Sequence, residues 1–522
     1  MADLYLTRRA VLGAGLSLAA APALARAGGD PVAATRHGRV RGLRQDGLCV
    51  FKGIRYGADT RPARFQAPRP PAPWMDVRDA LAFGPACPQT RIDEPTSEDC
   101  LFLNVWTPGL DGARRPVMVY LHGGAYASGS GAHPLTDGAR LAASGDVVVV
   151  TVNHRLNAFG YAYLARLSPR FPDSGNAGML DIVLALRWVR DNIAAFGGDP
   201  DRVMLFGQSG GGAKIATLMG MPAAQGLFHR AATMSGQQVT ASGPLHATAR
   251  ARAWLAALKV PETAPERLLE LPAEALVEGL SAADPVLDGL VYFGPVLDET
   301  WLTRHPFWPD ANPLSAHIPM ILGNTLDETR AFVRGPDDPR FSLTWEQLPE
   351  ALAKGLVVDI LPEHVIAEYR RLFPAYGPSD IYFAATTAGR SWRGQVIEAE
   401  MRDAVPAPTW VYQLNYRSPV DGGRWGAFHS LDIGLVFGTL EARDSRTGTG
   451  PEARAVSAAM QRAFVDFARH GDPNGATGGM WPPYRLPERA TLIFDANPRV
   501  ENDPRAAERR LFAKVPYVQP GT

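Results

Sequence analysis

Charge of one sign is what this chain lacks most plainly. Its 522 residues carry 53 lysines and arginines against 53 aspartates and glutamates. A formally neutral chain has no basic footprint for nucleic acid or an anionic membrane, so neither is expected as a partner. Cysteine is scarce, with three in all, and no pair has the Cys-x-x-Cys spacing of a zinc ribbon. Long apolar runs are missing after residue 27; none approaches 18 uninterrupted residues, so no stable membrane insertion is expected there. There is no internal repeat and no Gly/Ser linker. The 52 glycines and 45 prolines are spread along the chain and read as many ordered turns.

The first residues differ from the rest. Thr7-Arg8-Arg9-Ala10-Val11-Leu12 is a twin-arginine pattern, followed by an apolar, alanine-rich run over residues 10–25. Ala25-Arg26-Ala27 offers a small-x-small cleavage site, with Ala23-Leu24-Ala25 as an alternative. These are the parts of an export signal of the twin-arginine type, which predicts a signal over residues 1–27 and a mature chain of 28–522, periplasmic or secreted. An oxidising destination permits a disulfide. With three cysteines at most one intrachain bridge forms. Cys87 and Cys100 bracket a polar loop and make the better pair, while Cys49 sits in an apolar stretch. Closing so short a loop is worth about 3 kcal/mol by chain entropy.

Short β-branched runs at 117–121, 146–152, 203–206, 319–322 and 410–414 predict buried strands. Between them lie helical patterns, notably 181–195, and a last long one over 452–469 that stops at Gly471-Asp472-Pro473. Strands alternating with helices predict an α/β fold: a central, mostly parallel sheet flanked by helices. The segment 245–315 has few strand signals and reads as a helical insertion. One catalytic domain accounts for this better than several.

Gly207-Gln208-Ser209-Gly210-Gly211 fits G-x-S-x-G. Roughly 0.3 such matches arise by chance in a chain this long and this rich in glycine, so context decides. The motif follows strand 203–206 and precedes the helical pattern 212–219, the setting of a nucleophile elbow. Flanking glycines are needed because side chains two before and two after a serine on so sharp a turn would collide. His122-Gly123-Gly124-Ala125 follows strand 117–121 and has the small residues that let backbone N–H groups face a substrate oxygen. Gly124, Ala125 and Gly210 are the candidate oxyanion donors.

Where such an elbow is used, the acid and then the histidine follow the serine in the chain. Seven of the 11 histidines do so. His429, in Gly426-Ala427-Phe428-His429-Ser430 after a Pro/Gly-rich loop, is the best placed. Asp327 and Glu328 both follow strand 319–322 through a turn, and chemistry alone leaves the two open.

Longer segments carry a resemblance. Phe51-Lys52-Gly53-Ile54-Arg55-Tyr56, Ser97-Glu98-Asp99-Cys100-Leu101-Phe102-Leu103-Asn104-Val105, Asn153-His154-Arg155-Leu156, Gly175-Asn176-Ala177-Gly178-Met179-Leu180-Asp181 and Phe196-Gly197-Gly198-Asp199-Pro200 follow one another in order. Together with the elbow they resemble the type B carboxylesterase/lipase family, from about residue 31 to the C-terminal segment. The resemblance implies the α/β-hydrolase fold and a serine esterase needing no metal or organic cofactor. It implies a triad of Ser209, Glu328 and His429, the same three oxyanion donors, a Cys87–Cys100 bridge, and structural ion pairs Arg64–Glu98 and Arg155–Asp181. The family elbow usually reads G-E-S-A-G; here Gln208 replaces the glutamate and Gly210 the alanine, and Asp181 is followed by Ile182 instead of the usual glutamine. Loss of the glutamate's charge predicts a preference for neutral small-molecule esters over cationic ones. The alternatives are a lipase acting on longer acylglycerols and a non-catalytic binding protein of the same fold; the complete triad argues against the latter.

Overall fold

The computed structural model describes residues 29–90, 92–287, 289–475 and 479–521. The proposed export signal lies outside the described residues. Eleven strands form one sheet: β1 (Leu43–Gln45), β2 (Leu48–Arg55), β3 (Phe102–Thr107), β4 (Arg115–Leu121), β5 (Val148–Val152), β6 (Gly198–Gln208), β7 (Arg230–Met234), β8 (Met320–Thr325), β9 (Thr409–Leu414), β10 (Ala490–Phe494) and β11 (Arg499–Asn502). They lie in the order β1-β2-β3-β5-β4-β6-β7-β8-β9-β10-β11. From β5 to β10 every neighbour is parallel. Antiparallel strands close both edges. A separate small sheet joins Val32–Thr35, Gly38–Arg41 and Val77–Asp79.

Each central strand is apolar on both faces because helices cover both. Along β4, Val117, Val119 and Leu121 enter one core, while Met118 and Tyr120 enter the other. On the first face packs α1 (Ala177–Asn192), through Ile182, Leu186 and Val189. The second face is covered by the long helix Pro451–His470, through Val456, Phe464 and Phe467. Helices over Leu348–Gly355, Pro362–Leu372 and Pro378–Thr387 build a smaller core of their own around Leu352, Tyr369 and Phe383. The segment 245–315 contains helical turns and no strand among its described residues, as its composition predicted.

Two buried ion pairs pin the loops that leave this scaffold. Arg64 grips Glu98 with two hydrogen bonds of 2.5 and 2.6 Å. Arg155 meets Asp181, at the start of α1, with bonds of 2.6 and 2.8 Å, and its own backbone N–H adds a third. Bidentate geometry with the remaining lone pairs engaged is what lets such pairs be buried.

The expected Cys87–Cys100 disulfide is not formed in this structure: all three cysteines are buried free thiols. Cys87 and Cys100 are hydrogen-bonded neighbours, and that contact with burial pushes the Cys100 thiol well up. The Cys87 sulfur also accepts the Leu156 N–H at 3.2 Å.

Candidate active site

β6 delivers Ser209 into a turn with φ 57° and ψ −125°, and α2 (Gly210–Leu218) begins at the next residue. For a serine this is strained backbone, of the kind that persists only where its surroundings over-determine it. Its N–H is taken by the Met234 carbonyl of β7 at 2.8 Å. The glycines are steric necessities. A Cβ at Gly211 would lie 1.9 Å from the Leu121 carbonyl oxygen, and one at Gly207 would lie 2.7 Å from the Gly211 backbone.

Opposite the elbow, the chain leaving β4 turns through Gly124 (φ 82°) and Ala125 (φ 54°). Gly210 lets this loop come close, since a Cβ there would lie 2.2 Å from the Ala125 carbonyl oxygen. Sequence reading missed the group that holds the loop. Lys214, one turn into α2 and fully buried, donates to the carbonyls of Ala125 at 2.8 Å and His122 at 3.0 Å. Burial pushes its ammonium down to about 7. His122 stacks on His154 with ring centroids 4.7 Å apart, and burial with the nearby Lys214 pushes it down to about 3. It is therefore neutral and structural. The available signal for Lys214 was a lone charge in the otherwise apolar 212–219 pattern.

On the other side, the turn after β8 carries Asp327 and Glu328, and the structure separates them. Asp327 accepts the Ala427 N–H at 3.0 Å and so ties down the loop that precedes His429. Glu328, fully buried, is the one that meets His429, Oε2 to Nδ1. Its other oxygen accepts from the Ser235 hydroxyl at 2.6 Å, the Thr325 N–H at 2.8 Å and the Asn324 amide at 3.0 Å. Burial alone would push this carboxyl up; His429, Ser235 and Thr325 outweigh it and hold it below its ordinary value. A carboxylate on Nδ1 leaves Nε2 as the acceptor.

That Nε2 sits 3.2 Å from the Gln208 amide nitrogen. The sequence left two roles open for Gln208, a missing charge beside the substrate or a member of a buried polar network, and this contact is of the second kind. The Gln208 amide engages the histidine at Nε2.

Ser209, His429, Gly124, Ala125, Phe332 and Ile433 line a cavity of about 610 Å³, the size that encloses a small ligand. A wider cleft of about 760 Å³ beside Arg61, Glu98 and Glu274 contains neither Ser209 nor His429. Among the described residues no cluster of His, Cys, Asp or Glu is arranged to hold a metal ion.

With this geometry in place, likeness to known proteins decides the family. The profile described as the carboxylesterase family matches residues 29–370 and 382–512. The chain belongs to that family. Para-nitrobenzyl esterase of Bacillus subtilis (strain 168) is 36% identical over 501 residues, covering 92% of this chain and 98% of the relative. Phenmedipham hydrolase of Pseudarthrobacter oxydans is 34% identical over 488 residues, covering 89% and 94%. Among solved structures, a Geobacillus stearothermophilus carboxylesterase at 36% identity superposes with a TM-score of 0.82, over 92% of this chain and 99% of that one. The α/β-hydrolase fold and carboxylic ester hydrolysis through an acyl-enzyme are therefore properties of this esterase. Among its described residues no helix is long and apolar enough to cross a membrane.

Proposed function

We propose that the esterase uses Ser209 as nucleophile, His429 as general base and Glu328 as the group that orients the imidazole, with the N–H groups of Gly124, Ala125 and Gly210 receiving the oxyanion. The observation that carries this reading is the Glu328–His429 contact beside a serine held at positive φ over a cavity of about 610 Å³. His429 Nε2, released from Gln208, takes the Ser209 proton as Oγ attacks the ester carbonyl. The protonated imidazole returns that proton to the departing alcohol. Water, activated by the same nitrogen, then attacks the acyl-serine, and the carboxylic acid leaves. A fluorophosphonate should label Ser209 in the wild type and fail to label Ser209→Ala; labelling at another serine would sink the assignment.

We further propose that uncharged alcohol groups are preferred to cationic ones. Gln208 puts no charge beside the serine, and the one acid among the described residues lining the cavity of about 610 Å³ at Ser209, Glu94, is engaged by the Ser130 hydroxyl. Equal kcat/KM for a choline ester and its neutral carbon isostere, or a bias to the isostere, is expected; a severalfold advantage for choline would overturn it.

Export by the twin-arginine route is also proposed, on the strength of Arg8-Arg9, the apolar run and the Ala-x-Ala site. Terminal sequencing of secreted material should begin near Gly28, and an intact Met1 would refute it. In that oxidising setting the neighbouring thiols Cys87 and Cys100 would join, which non-reducing peptide mapping reads.

A further inference from the structure

Two cavities meet at Ser209 and His429, and their linings differ in charge. The larger one has apolar walls from Ile92, Leu135 and Ile433 together with the acid Glu94. The smaller, of about 110 Å³, lies on the Gly210 side and is lined by Gln237, Gln238, Tyr292, Arg390, Ser391 and Tyr517. No aspartate or glutamate lines it among the described residues. Burial pushes the Tyr292 hydroxyl up to about 12 and the Tyr517 hydroxyl higher still, so neither presents an anion at neutral pH.

Arg390 faces both cavities. Its guanidinium lies over the Phe332 ring, 4.6 Å from the centroid, and that ring packs against His429 with centroids 4.9 Å apart. Beyond this ring contact it has no hydrogen bond or ion pair with any described residue. Four buried arginines elsewhere in the fold meet carboxylates: Arg64 with Glu98, Arg155 with Asp181, Arg250 with Asp284 and Arg505 with Glu508. Arg390 has no such carboxylate; Arg230 and Arg402 also lack one, but of these three only Arg390 lines the cavities at Ser209. Glu328 favours its charge from a distance but is already occupied by four donors. A partly desolvated guanidinium with its planar fork unused is a poor element of a scaffold and a good receptor for a carboxylate. The residue sits in a π-helical turn, Ala388–Trp392, a distortion often found where a side chain has been re-aimed at a site.

We propose that Arg390 anchors a free carboxylate on the substrate, so that the esters handled best carry a short anionic arm within a few bonds of the scissile carbonyl. This rests on the esterase reading above and extends its charge preference from uncharged toward anionic. The small volume favours a short arm, and the absence of lining acids removes the repulsion such an arm would otherwise meet.

The experiment compares matched pairs. Monomethyl glutarate against dimethyl glutarate places the carboxylate on the acyl side; O-acetyl glycolate against its methyl ester places it on the alcohol side. kcat/KM is measured for all four with wild type, Arg390→Lys and Arg390→Met. The anionic-to-neutral ratio is expected to fall roughly 10- to 100-fold in Arg390→Met, mainly through KM, for the pair whose carboxylate reaches the small cavity. Arg390→Lys should recover part of that ratio, and added salt should erode it in the wild type. An equal loss on both members of each pair would mark Arg390 as a clamp on Phe332 and overturn the proposal, as would a wild type that turns over only the neutral esters. Neutral-ester turnover, read in the same assay, separates failure of this proposal from failure of the esterase reading.

Discussion

The two flanks of Ser209 are built on opposite plans. On the side of the proposed base, Glu328 is held by a hydroxyl, an amide, a backbone N–H and the His429 imidazole. On the oxyanion side, the loop leaving β4 is latched by one ammonium, Lys214, across two carbonyls. Redundant bonding spreads the cost of losing any one partner, whereas a single buried latch concentrates it. The base side should therefore be tolerant at its periphery and intolerant only at its centre, and the oxyanion side should fail at one residue.

The largest expected effect is at the centre of the base side. Glu328→Ala removes the carboxylate on His429 and leaves the tautomer and ring orientation unfixed, so kcat should drop by a factor on the order of 10⁴. Lys214→Met tests the other flank. With the ammonium gone the Ala125 and His122 carbonyls lose their donor and the candidate oxyanion N–H groups drift, which should lower kcat by about 10²-fold with little change in KM. Circular dichroism should report an intact fold for that variant, and a kcat within a factor of about two of wild type would break the comparison. Ser235→Ala removes one of four donors to Glu328, and a loss under about tenfold is expected because a net hydrogen bond is worth about 1 kcal/mol. A larger loss than that of Lys214→Met would invert the account.

The smallest effects are in stability. Lys214 has a folded-state pKa of about 7, below its ordinary 10.5. Between those values the unfolded chain binds more protons, so stability should rise with pH across that window. Asp432, buried behind the base and pushed up to about 7 first by burial and then by Glu328, works in the opposite sense. Its folded-state pKa exceeds the ordinary 3.8, so its contribution is full below that value and is lost as pH rises toward 7. Melting temperatures of Lys214→Met and Asp432→Asn across pH 4–10 should each flatten its own limb; unchanged slopes would contradict the assignment.

Legibility in the sequence followed burial. Strands such as β4 and β8 stood out because a parallel strand covered on both faces is an unbroken apolar run. Edge strands β1 and β11 are short and partly exposed, so Leu43–Gln45 and Arg499–Asn502 gave no comparable pattern. Asp146, read as the start of a strand, is instead a left-handed residue closing a helix at φ 44°. The helix expected over 181–195 starts earlier, at Ala177, and tightens after Asn192 into a 3-10 turn. At the site, Ser209 and His429 were readable from glycine spacing and loop position. Asp327 and Glu328 follow the same strand, so the residues alone left both open; the family resemblance pointed to Glu328, and the loop before His429 brings that residue to the imidazole. The partners of Gln208 and Lys214 were not readable because a polar side chain's direction is set by its tertiary surroundings, here His429 and two carbonyls, which local pattern does not encode.

The claim on which the rest depends is that Ser209 is acylated. The direct measurement is intact-protein and peptide mass spectrometry of enzyme quenched in acid during turnover of p-nitrophenyl acetate, in wild type and Ser209→Ala. The account predicts one acetyl group on the peptide containing Ser209 in the wild type, and neither acetylation nor turnover in Ser209→Ala. An acetyl group on a different residue, or wild-type turnover by Ser209→Ala, would contradict it.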